Sequence, residues 1–183
     1  DSRRGDSLEE LRKEIGNNFS FVVGDVAQRN KIDGLVLEAS TDFGMPDILV
    51  HAAGLNTRQV ADQVNSDGWD RTLEINLSAP FFLSQAAISA MKERGWGRIV
   101  NFASLQSTRA FPGGLAYGVS KGGIVQLTRA MAEEWSEDGI CINAIGPGFF
   151  PTELTMAVFD DAERAERNAM QTCIGRNLSL IHI

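Results

Sequence analysis

Short, continuously apolar runs alternate with longer stretches of helical periodicity along this 183-residue chain. Three runs, at residues 47–54, 98–104 and 139–148, have the composition of strands that are buried on both faces. A fourth run, at residues 19–26, precedes them. Because strands that alternate with helices pair in parallel through crossover connections, the pattern predicts an α/β fold with a doubly wound parallel sheet. Such sheets bind ligands at the carboxyl ends of their strands.

Five stretches between and after these runs are predicted to be helical. Ser7 and Glu10 form a capping-box pattern at the start of the first stretch. Apolar residues recur every three to four positions in the second, and Pro80 is expected to kink the third. The predicted helices cover residues 7–16, 28–44, 66–94, 115–138 and 160–171. The last of them is expected to be a short helix on the surface.

The length accommodates one domain, which we place at residues 1–177. Acidic residues outnumber basic ones by 24 to 17, which gives a net charge of −7. A phosphate backbone or an anionic membrane surface would therefore be repelled on average. No apolar run reaches the roughly 20 residues that span a bilayer, and the charged N-terminal segment lacks the apolar region of a signal peptide. We expect a cytoplasmic protein without nucleic-acid or membrane partners.

The chain contains two cysteines and two histidines. No CxxC pattern is present, and four such residues at these spacings cannot form a metal site or a disulfide framework on their own. Cys141 lies inside an apolar run and Cys173 lies near the C-terminus. We therefore expect buried thiols and no metal.

Tyr117 and Lys121 stand four residues apart at the start of a predicted helix, so their side chains share one face. A nearby ammonium stabilises a phenolate and lowers its pKa, which permits proton exchange with an alcohol or carbonyl oxygen. Taken alone, such a pair is more often a contact on a helix surface. Ser104 adds a hydroxyl at the end of the strand 98–104, where it can hydrogen-bond a substrate oxygen. A surface serine is the alternative interpretation.

The segments NFAS and YGVSK, with twelve residues between Ser104 and Tyr117, closely resemble the serine, tyrosine and lysine signature of the short-chain dehydrogenase/reductases. Further matches follow in the order of that family and extend from about residue 24 to residue 152. They are Asp25-Val26, the HAAG turn at residues 51–54, EINLSAP around Asn76, and Pro147-Gly148 with Thr152. The resemblance implies a Rossmann-like three-layer α/β/α fold and an oxidoreductase that uses NAD or NADP.

The resemblance also implies a role for each matching residue. Tyr117 would be the general acid/base, Ser104 would polarise the substrate oxygen, and Lys121 would lower the tyrosine pKa and bind the nicotinamide ribose. Asn76 would hold a water molecule in the proton relay. The other residues implied to contact the cofactor are Asp25, Val26, Ala52, Ala53, Gly54, Pro147, Gly148, Phe150 and Thr152.

Two of these residues also have a structural interpretation. Asn76 could bond backbone carbonyls that Pro80 frees in the helix 66–94. Asp25 could be the N-cap of the helix 28–44. Either interpretation is compatible with a functional role for the same residue.

The resemblance is incomplete at both ends of the chain. The family's glycine-rich TGxxxGxG turn would precede residue 1, so we expect a fragment without its first strand, its phosphate-binding loop and most of its second strand. The residue that separates NAD from NADP lies in that missing part, and such a fragment is expected to bind dinucleotide weakly. Ala52 replaces an asparagine of the usual NNAG turn. Residues 178–183 form an off-pattern tail, and His182 within it is not expected to be functional.

The resemblance implies interconversion of a secondary alcohol and a ketone on a small-molecule substrate. AIGPGFFPTELT and QTCIGRN are most like the gluconate 5-dehydrogenase and 2-deoxygluconate 3-dehydrogenase branch, which implies a sugar acid such as gluconate. A 3-oxoacyl-carrier-protein reductase is one alternative, and a non-catalytic scaffold with the same fold is another. The family implies a homo-oligomer, a tetramer or a dimer, formed through the helices 66–94 and 115–138.

Overall fold

Three parallel strands form the sheet of the computed structural model, which describes residues 5–152 and 155–179. The strands are β1 (Ile48–His51), β2 (Gly97–Phe102) and β3 (Ile140–Ile145), and they lie side by side in the order β1-β2-β3. Ile99 pairs with Leu49 on one side and with Ile142 on the other. Parallel neighbours require crossover connections, and helices supply them, so the predicted α/β architecture is confirmed.

Seven α-helices accompany these strands within the described residues. They are α1 (Gly5–Ile15), α2 (Ile32–Ala39), α3 (Ser66–Leu73), α4 (Ala79–Arg94), α5 (Leu115–Trp135), α6 (Met156–Phe159) and α7 (Ala162–Met170). A 3-10 turn at Arg29–Lys31 precedes α2, and another at Ser136–Asp138 follows α5. Within the described residues, no helix combines the length and the apolar character that crossing a bilayer requires.

The first two predicted helices differ from the observed ones in their bounds. Helix α1 begins before Ser7, so the capping box expected from Ser7 and Glu10 is wrong. Helix α2 ends at Ala39 rather than at residue 44. The Ser40 hydroxyl donates a hydrogen bond to the Val36 carbonyl at 2.7 Å, and Gly44 adopts a φ of 80°, which ends helical geometry. The sequence patterns located both helices but not their ends.

Residues 19–26 do not form the fourth strand that their apolar run predicted. Only Val23 has a bridge pairing there, and among the described residues the sheet of β1, β2 and β3 does not include the segment. A strand satisfies its backbone N–H and C=O groups through a neighbouring strand, and an apolar run alone does not provide one. The segment is instead held by turns, such as the 2.9 Å bond from the Gln28 amide to the Asp25 carbonyl.

The predicted helix 66–94 is continuous but not uniform. Asn65 caps its start, because its Oδ1 accepts a 2.8 Å hydrogen bond from the Gly68 amide. A π-helical turn at Glu74–Ser78, which we call the π-turn, separates α3 from α4. Pro80 lies just beyond it and has no amide to donate to the Asn76 carbonyl four residues earlier. The irregularity expected at Pro80 is therefore found in the turn before it.

Helices α4 and α5 pack on one face of the sheet and form the main core. Met91 and Met131 from the helices meet Ile99, Ile140 and Ile142 from the strands. Side chains that alternate with these core residues point to the opposite face and are exposed, among them Val50, Ile145 and Cys141. Cys173 is exposed as well, so the prediction of buried thiols is wrong. An apolar run identifies a strand but does not distinguish the covered face from the open one.

Candidate functional site

Ser104 lies two residues beyond β2, at the carboxyl end of the sheet. Its hydroxyl accepts a 3.1 Å hydrogen bond from the Gln106 amide, and its own amide donates to the Ser107 hydroxyl, also at 3.1 Å. Ser107 in turn donates to the Lys121 carbonyl at 2.6 Å. The loop that carries Ser104 is thus fixed to helix α5, and Ser104 is half-buried rather than a free surface serine.

Lys121 and Tyr117 share one face of the first turns of α5, as their spacing predicted. The Lys121 Nζ atom lies 5.6 Å from the centre of the Tyr117 ring and donates a 2.6 Å hydrogen bond to the Phe102 carbonyl of β2. Burial lowers the pKa of Lys121 to about 8, because the charged amine is taken out of water. The pair therefore lies at the end of the central strand and not on the surface.

The Tyr117 phenol is more buried than the sequence indicated. Burial raises its pKa, and a hydrogen bond with the Ser104 side chain acts in the opposite direction and lowers it. The sequence-based expectation was a lowered pKa caused by Lys121. In this structure the Lys121 amine is directed at the Phe102 carbonyl, and burial of the phenol outweighs the other effects on its pKa. The direction of the shift is thus opposite to the one expected.

Asn76 lies in the π-turn and is almost completely buried. Its Oδ1 accepts from the Leu55 amide at 2.8 Å, and its Nδ2 donates to the Leu55 carbonyl at 2.8 Å. The second Nδ2 hydrogen goes to the Ser120 hydroxyl at 2.9 Å. The interpretation that Asn76 bonds carbonyls freed near Pro80 is therefore wrong. The side chain binds the loop after β1 and helix α5 instead.

Ser120 connects these groups and was not identified from the sequence. It is fully buried, accepts the hydrogen bond from Asn76, and donates to the Tyr117 carbonyl at 2.7 Å. Its position three residues after Tyr117 and one before Lys121 was the available signal, since residues three apart share a helix face. A serine inside a helix has no characteristic pattern that separates this arrangement from a solvent-exposed side chain.

His51 ends β1 and is a second buried polar residue that the sequence did not single out. Its Nε2 lies 2.9 Å from the Ser84 Oγ, and Ser84 donates its one hydroxyl hydrogen to the Pro80 carbonyl at 2.7 Å. Nε2 must therefore be the donor, which fixes the neutral Nε2–H tautomer. Burial lowers the pKa of His51 to about 4. This bond connects the end of β1 to α4. The next residue, Ala52, has no side-chain amide that could make such a connection.

Val26 lines a cavity together with the end of β1, and Asp25 precedes it in the chain. Asp25 accepts a 3.0 Å hydrogen bond from the Ala27 amide and forms an ion pair with Arg71 at 3.2 Å. It is not an N-cap, since α2 begins at Ile32 and Lys31 precedes it, so that structural interpretation is wrong. Val26 is buried with Ile75 and Ala79. A cavity of about 200 Å³ is lined by nine residues, Val26, Val50, His51, Ala52, Ala53, Ile75, Ala79, Pro80 and Leu83.

The residues predicted after β3 form a separate local structure. Pro147 and Gly148 follow the strand, and a Cβ added at Gly148 would lie 3.2 Å from a methyl group of Leu178. Thr152 is exposed, and its hydroxyl lies 3.0 Å from that of Thr155, which also donates to the Phe150 carbonyl. The structure thus brings Asn76, Ser104, Tyr117 and Lys121 together, whereas Thr152 is engaged by its own turn. His182 falls outside the described residues.

Residues 2–163 match the family described as short chain dehydrogenase. The chain belongs to this family. A gluconate 5-dehydrogenase from Gluconobacter oxydans is 35% identical over 161 residues, which cover 88% of this chain and 63% of the relative. A 3-oxoacyl-[acyl-carrier-protein] reductase from Vibrio cholerae is 30% identical over 151 residues, which cover 82% of this chain and 62% of that protein.

A solved structure of the short-chain dehydrogenase fold superposes closely on this chain. It is a gluconate 5-dehydrogenase from Burkholderia cenocepacia in complex with NADP and tartrate, with a TM-score of 0.87 and 32% identity. The match covers 97% of this chain and 71% of that one. The Rossmann-like α/β fold is therefore confirmed. The chain spans less than two thirds of the length of the two curated relatives described above.

Proposed function

We propose that the full-length protein is an NAD(P)-dependent oxidoreductase that interconverts a secondary alcohol and a ketone. The observation that carries the proposal is the meeting of Ser104, Tyr117 and Lys121 at the carboxyl end of β2. Tyr117 interacts with Ser104 through its side chain, and its ring lies 5.6 Å from the Lys121 amine. Open α/β sheets bind ligands at this end, so the three groups stand where a substrate would lie.

The chemistry of the surrounding residues supports a dinucleotide cofactor, NAD or NADP. The cavity beside β1 has apolar walls from Val26, Ala53 and Ile75, which suit a flat adenine ring. Asp25 would contact the same ring, and the buried amine of Lys121 would hold the nicotinamide ribose. The other residues proposed to contact the cofactor are Ala52, Gly54, Pro147, Gly148, Phe150 and Thr152. When bound, the nicotinamide supplies hydride exchange with the substrate carbon.

Tyr117 would exchange the proton of the substrate oxygen. In the oxidative direction the phenolate takes the proton from the alcohol, and in the reductive direction the phenol returns it to the forming alcohol. Ser104 would donate a hydrogen bond to the same oxygen and stabilise the charge that develops on it. The charged Lys121 amine, 5.6 Å from the centre of the Tyr117 ring, would favour the phenolate during the reaction and so assist removal of the proton from the alcohol.

Asn76 would hold a water molecule in the proton relay through its backbone carbonyl. Both Nδ2 hydrogens of its side chain are already bonded, to Leu55 and to Ser120, so the backbone carbonyl is the group proposed to bind the water. That carbonyl has no donor four residues later, because Pro80 lacks an amide. An acceptor of this kind can hold a water molecule that connects the Lys121 amine with solvent.

A sugar acid such as gluconate is the proposed substrate class. The likeness to gluconate 5-dehydrogenases in both sequence and structure supports it. The 3-oxoacyl-carrier-protein reductase is the second candidate, because a relative of that name matches a similar share of the chain. A non-catalytic scaffold is the third, and retention of all three site side chains argues against it.

We further propose that residues 1–177 form a single domain. We also propose that the full-length protein assembles as a homo-oligomer, a tetramer or a dimer. It would act in the cytoplasm on a small-molecule substrate. The long helices α4 and α5 are the elements that would form the subunit contacts. Size-exclusion chromatography with light scattering would measure the assembly directly.

The experiment that tests the proposed function follows reduced nicotinamide absorbance in the full-length protein with NAD and with NADP. The substrates are gluconate, 2-deoxygluconate and, with the reduced cofactor, a 3-oxoacyl thioester. We expect turnover of a sugar acid and its loss in Tyr117→Phe. Turnover of the thioester alone would move the substrate class to the second candidate. Full activity in Tyr117→Phe would overturn the mechanism.

A further inference from the structure

Ser120 occupies a junction between three elements that carry the candidate site. Its side chain is fully buried on α5, between Tyr117 and Lys121 in the sequence. The hydroxyl donates to the Tyr117 carbonyl at 2.7 Å and accepts from the Asn76 Nδ2 at 2.9 Å. One oxygen atom therefore joins the turn that holds Tyr117 to the π-turn.

The Asn76 side chain extends this connection to the loop after β1. Both of its remaining bonds, one accepted and one donated, go to the backbone of Leu55 at 2.8 Å. Both Nδ2 hydrogens of the amide are used, so Asn76 cannot donate to a further acceptor without breaking its bond to Leu55 or to Ser120. The path Leu55, Asn76, Ser120, Tyr117 is continuous and buried at its centre.

Close packing on the same face of α5 keeps this path short. Gly123 lies one helical turn after Ser120, and a Cβ added there would lie 3.0 Å from the Leu77 side chain of the π-turn. Helix α5 therefore approaches the π-turn more closely than a larger residue at position 123 would allow. A small residue at position 123 thus permits the approach across which Asn76 and Ser120 are hydrogen-bonded.

We propose that Ser120 is a positioning residue that sets the placement of the Tyr117 phenol relative to Ser104 and to the Asn76 carbonyl. This inference rests on the proposed oxidoreductase function. Without the hydroxyl, the Tyr117 turn loses its tie to the π-turn, and a buried amide hydrogen of Asn76 loses its partner. The phenol then moves away from Ser104. Displacements of about 1 Å at reacting groups reduce rates by up to roughly a hundredfold.

The test compares Ser120→Ala with Thr128→Val. Thr128 is the matched control, because its hydroxyl also lies buried on α5, donates to the Ile124 carbonyl at 2.7 Å and accepts from an asparagine, Asn101, at 2.9 Å. Both variants lose one buried hydroxyl, but only Ser120 is tied to Tyr117. Two readouts are measured: kcat and KM of the full-length enzyme, and the pH at which Tyr117 ionises.

The ionisation of Tyr117 can be measured without any cofactor. Tyr117 is the only tyrosine of the chain, so the tyrosinate absorbance of these 183 residues reports one phenol. A hydrogen bond with Ser104 lowers the pKa of that phenol, and Ser120→Ala weakens the contact. We expect Tyr117 to ionise at a higher pH in Ser120→Ala and at an unchanged pH in Thr128→Val.

For activity we expect kcat of Ser120→Ala to fall by about tenfold or more, with KM changed by less than about twofold. If Ser120→Ala does not fold, Ser120→Cys carries the same test, because a thiol keeps the volume but hydrogen-bonds weakly. An unchanged ionisation of Tyr117 together with an unchanged kcat overturns the inference. Activity that survives Tyr117→Phe overturns the proposed function instead, while the ionisation measurement still reports on Ser120.

Discussion

The Lys121 amine donates a 2.6 Å hydrogen bond to the backbone carbonyl of Phe102, the last residue of β2. This bond places a buried positive charge at the carboxyl end of the central strand, where burial lowers the pKa of the amine to about 8. The charge is costly for folding, since removal of an amine from water is unfavourable without a carboxylate partner. A buried cation of this kind indicates a functional requirement rather than a contribution to stability.

We therefore expect Lys121→Met to separate activity from stability. The thioether fills similar space without the charge, so the free energy of unfolding should rise at neutral pH, as measured by urea denaturation. Turnover should fall by at least about a hundredfold, because the phenolate of Tyr117 loses its stabilising cation. Lys92→Met is the control, since Lys92 is half-exposed and paired with Asp138 on the surface. A stability loss in Lys121→Met as large as that of a core truncation would contradict this account.

Acidification should destabilise the fold through His51. Its folded pKa is about 4, against 6.5 for the unfolded chain, so the unfolded state binds the extra proton between these values. Above about pH 6.5 both states are neutral and His51 adds no pH dependence. As the pH falls from 6.5 to 4, stability is lost, by roughly 3 kcal/mol in total.

Urea denaturation at a series of pH values measures this effect. His51→Gln keeps a hydrogen-bond donor near Nε2 for Ser84 but does not titrate. The difference in unfolding free energy between wild type and His51→Gln should therefore change between pH 4 and pH 6.5 and stay constant above pH 6.5. A difference independent of pH would show that His51 is not buried in the neutral form.

Two buried asparagines should respond very differently to replacement by leucine, which has a similar shape. Asn76 makes three hydrogen bonds to Leu55 and Ser120. Asn101 makes one, to Thr128, and its Oδ1 has no partner among the described residues. Asn76→Leu should cost about 2–4 kcal/mol, because it leaves buried backbone groups unpaired, and Asn101→Leu about 1 kcal/mol or less. Equal losses in thermal denaturation would contradict the assigned bonds.

Gly139 and Gly16 form a matched pair for backbone strain. Both adopt a φ of 79°, so alanine at either position costs about 1 kcal/mol in the left-handed region. A Cβ at Gly139 would lie 2.1 Å from the Gly95 carbonyl oxygen, whereas nothing lies within 4 Å of a Cβ at Gly16. Gly139→Ala should therefore lower the unfolding free energy by at least about 2 kcal/mol more than Gly16→Ala.

Sequence patterns predicted the elements of this fold better than their contacts. The strands 47–54, 98–104 and 139–148 and the helix that carries Tyr117 were found because continuous apolar runs and helical spacing are local signals. The run at residues 19–26 has the same signal, but a strand also needs a neighbour, which the local sequence does not encode. The exposure of Cys141 was not predicted for a similar reason: the local sequence does not encode which face of a strand is covered.

The sequence indicated which residues form the candidate site but not the hydrogen bonds that join them. Ser104, Tyr117 and Lys121 follow from a linear motif, whereas Ser120 gains its importance from Asn76, which lies 44 residues earlier. The direction of the Tyr117 pKa shift depends on burial, and burial depends on packing between α5 and β2. Such quantities are properties of the assembled structure, which explains why the motif alone gave the wrong sign.

The π-turn at Glu74–Ser78 changes the angular phase of the helix that contains it. A widened turn accommodates about one extra residue, which rotates everything beyond it by roughly 100° relative to a uniform α-helix. The buried residues before and within the turn, Thr72, Ile75 and Asn76, lie on one stripe. In a uniform α-helix the buried residues of its later turns, Ser84, Ala87, Ile88 and Met91, would lie on a stripe displaced by about that angle. The extra residue in the π-turn compensates for this displacement, so the helix keeps one side toward the core before and after the turn.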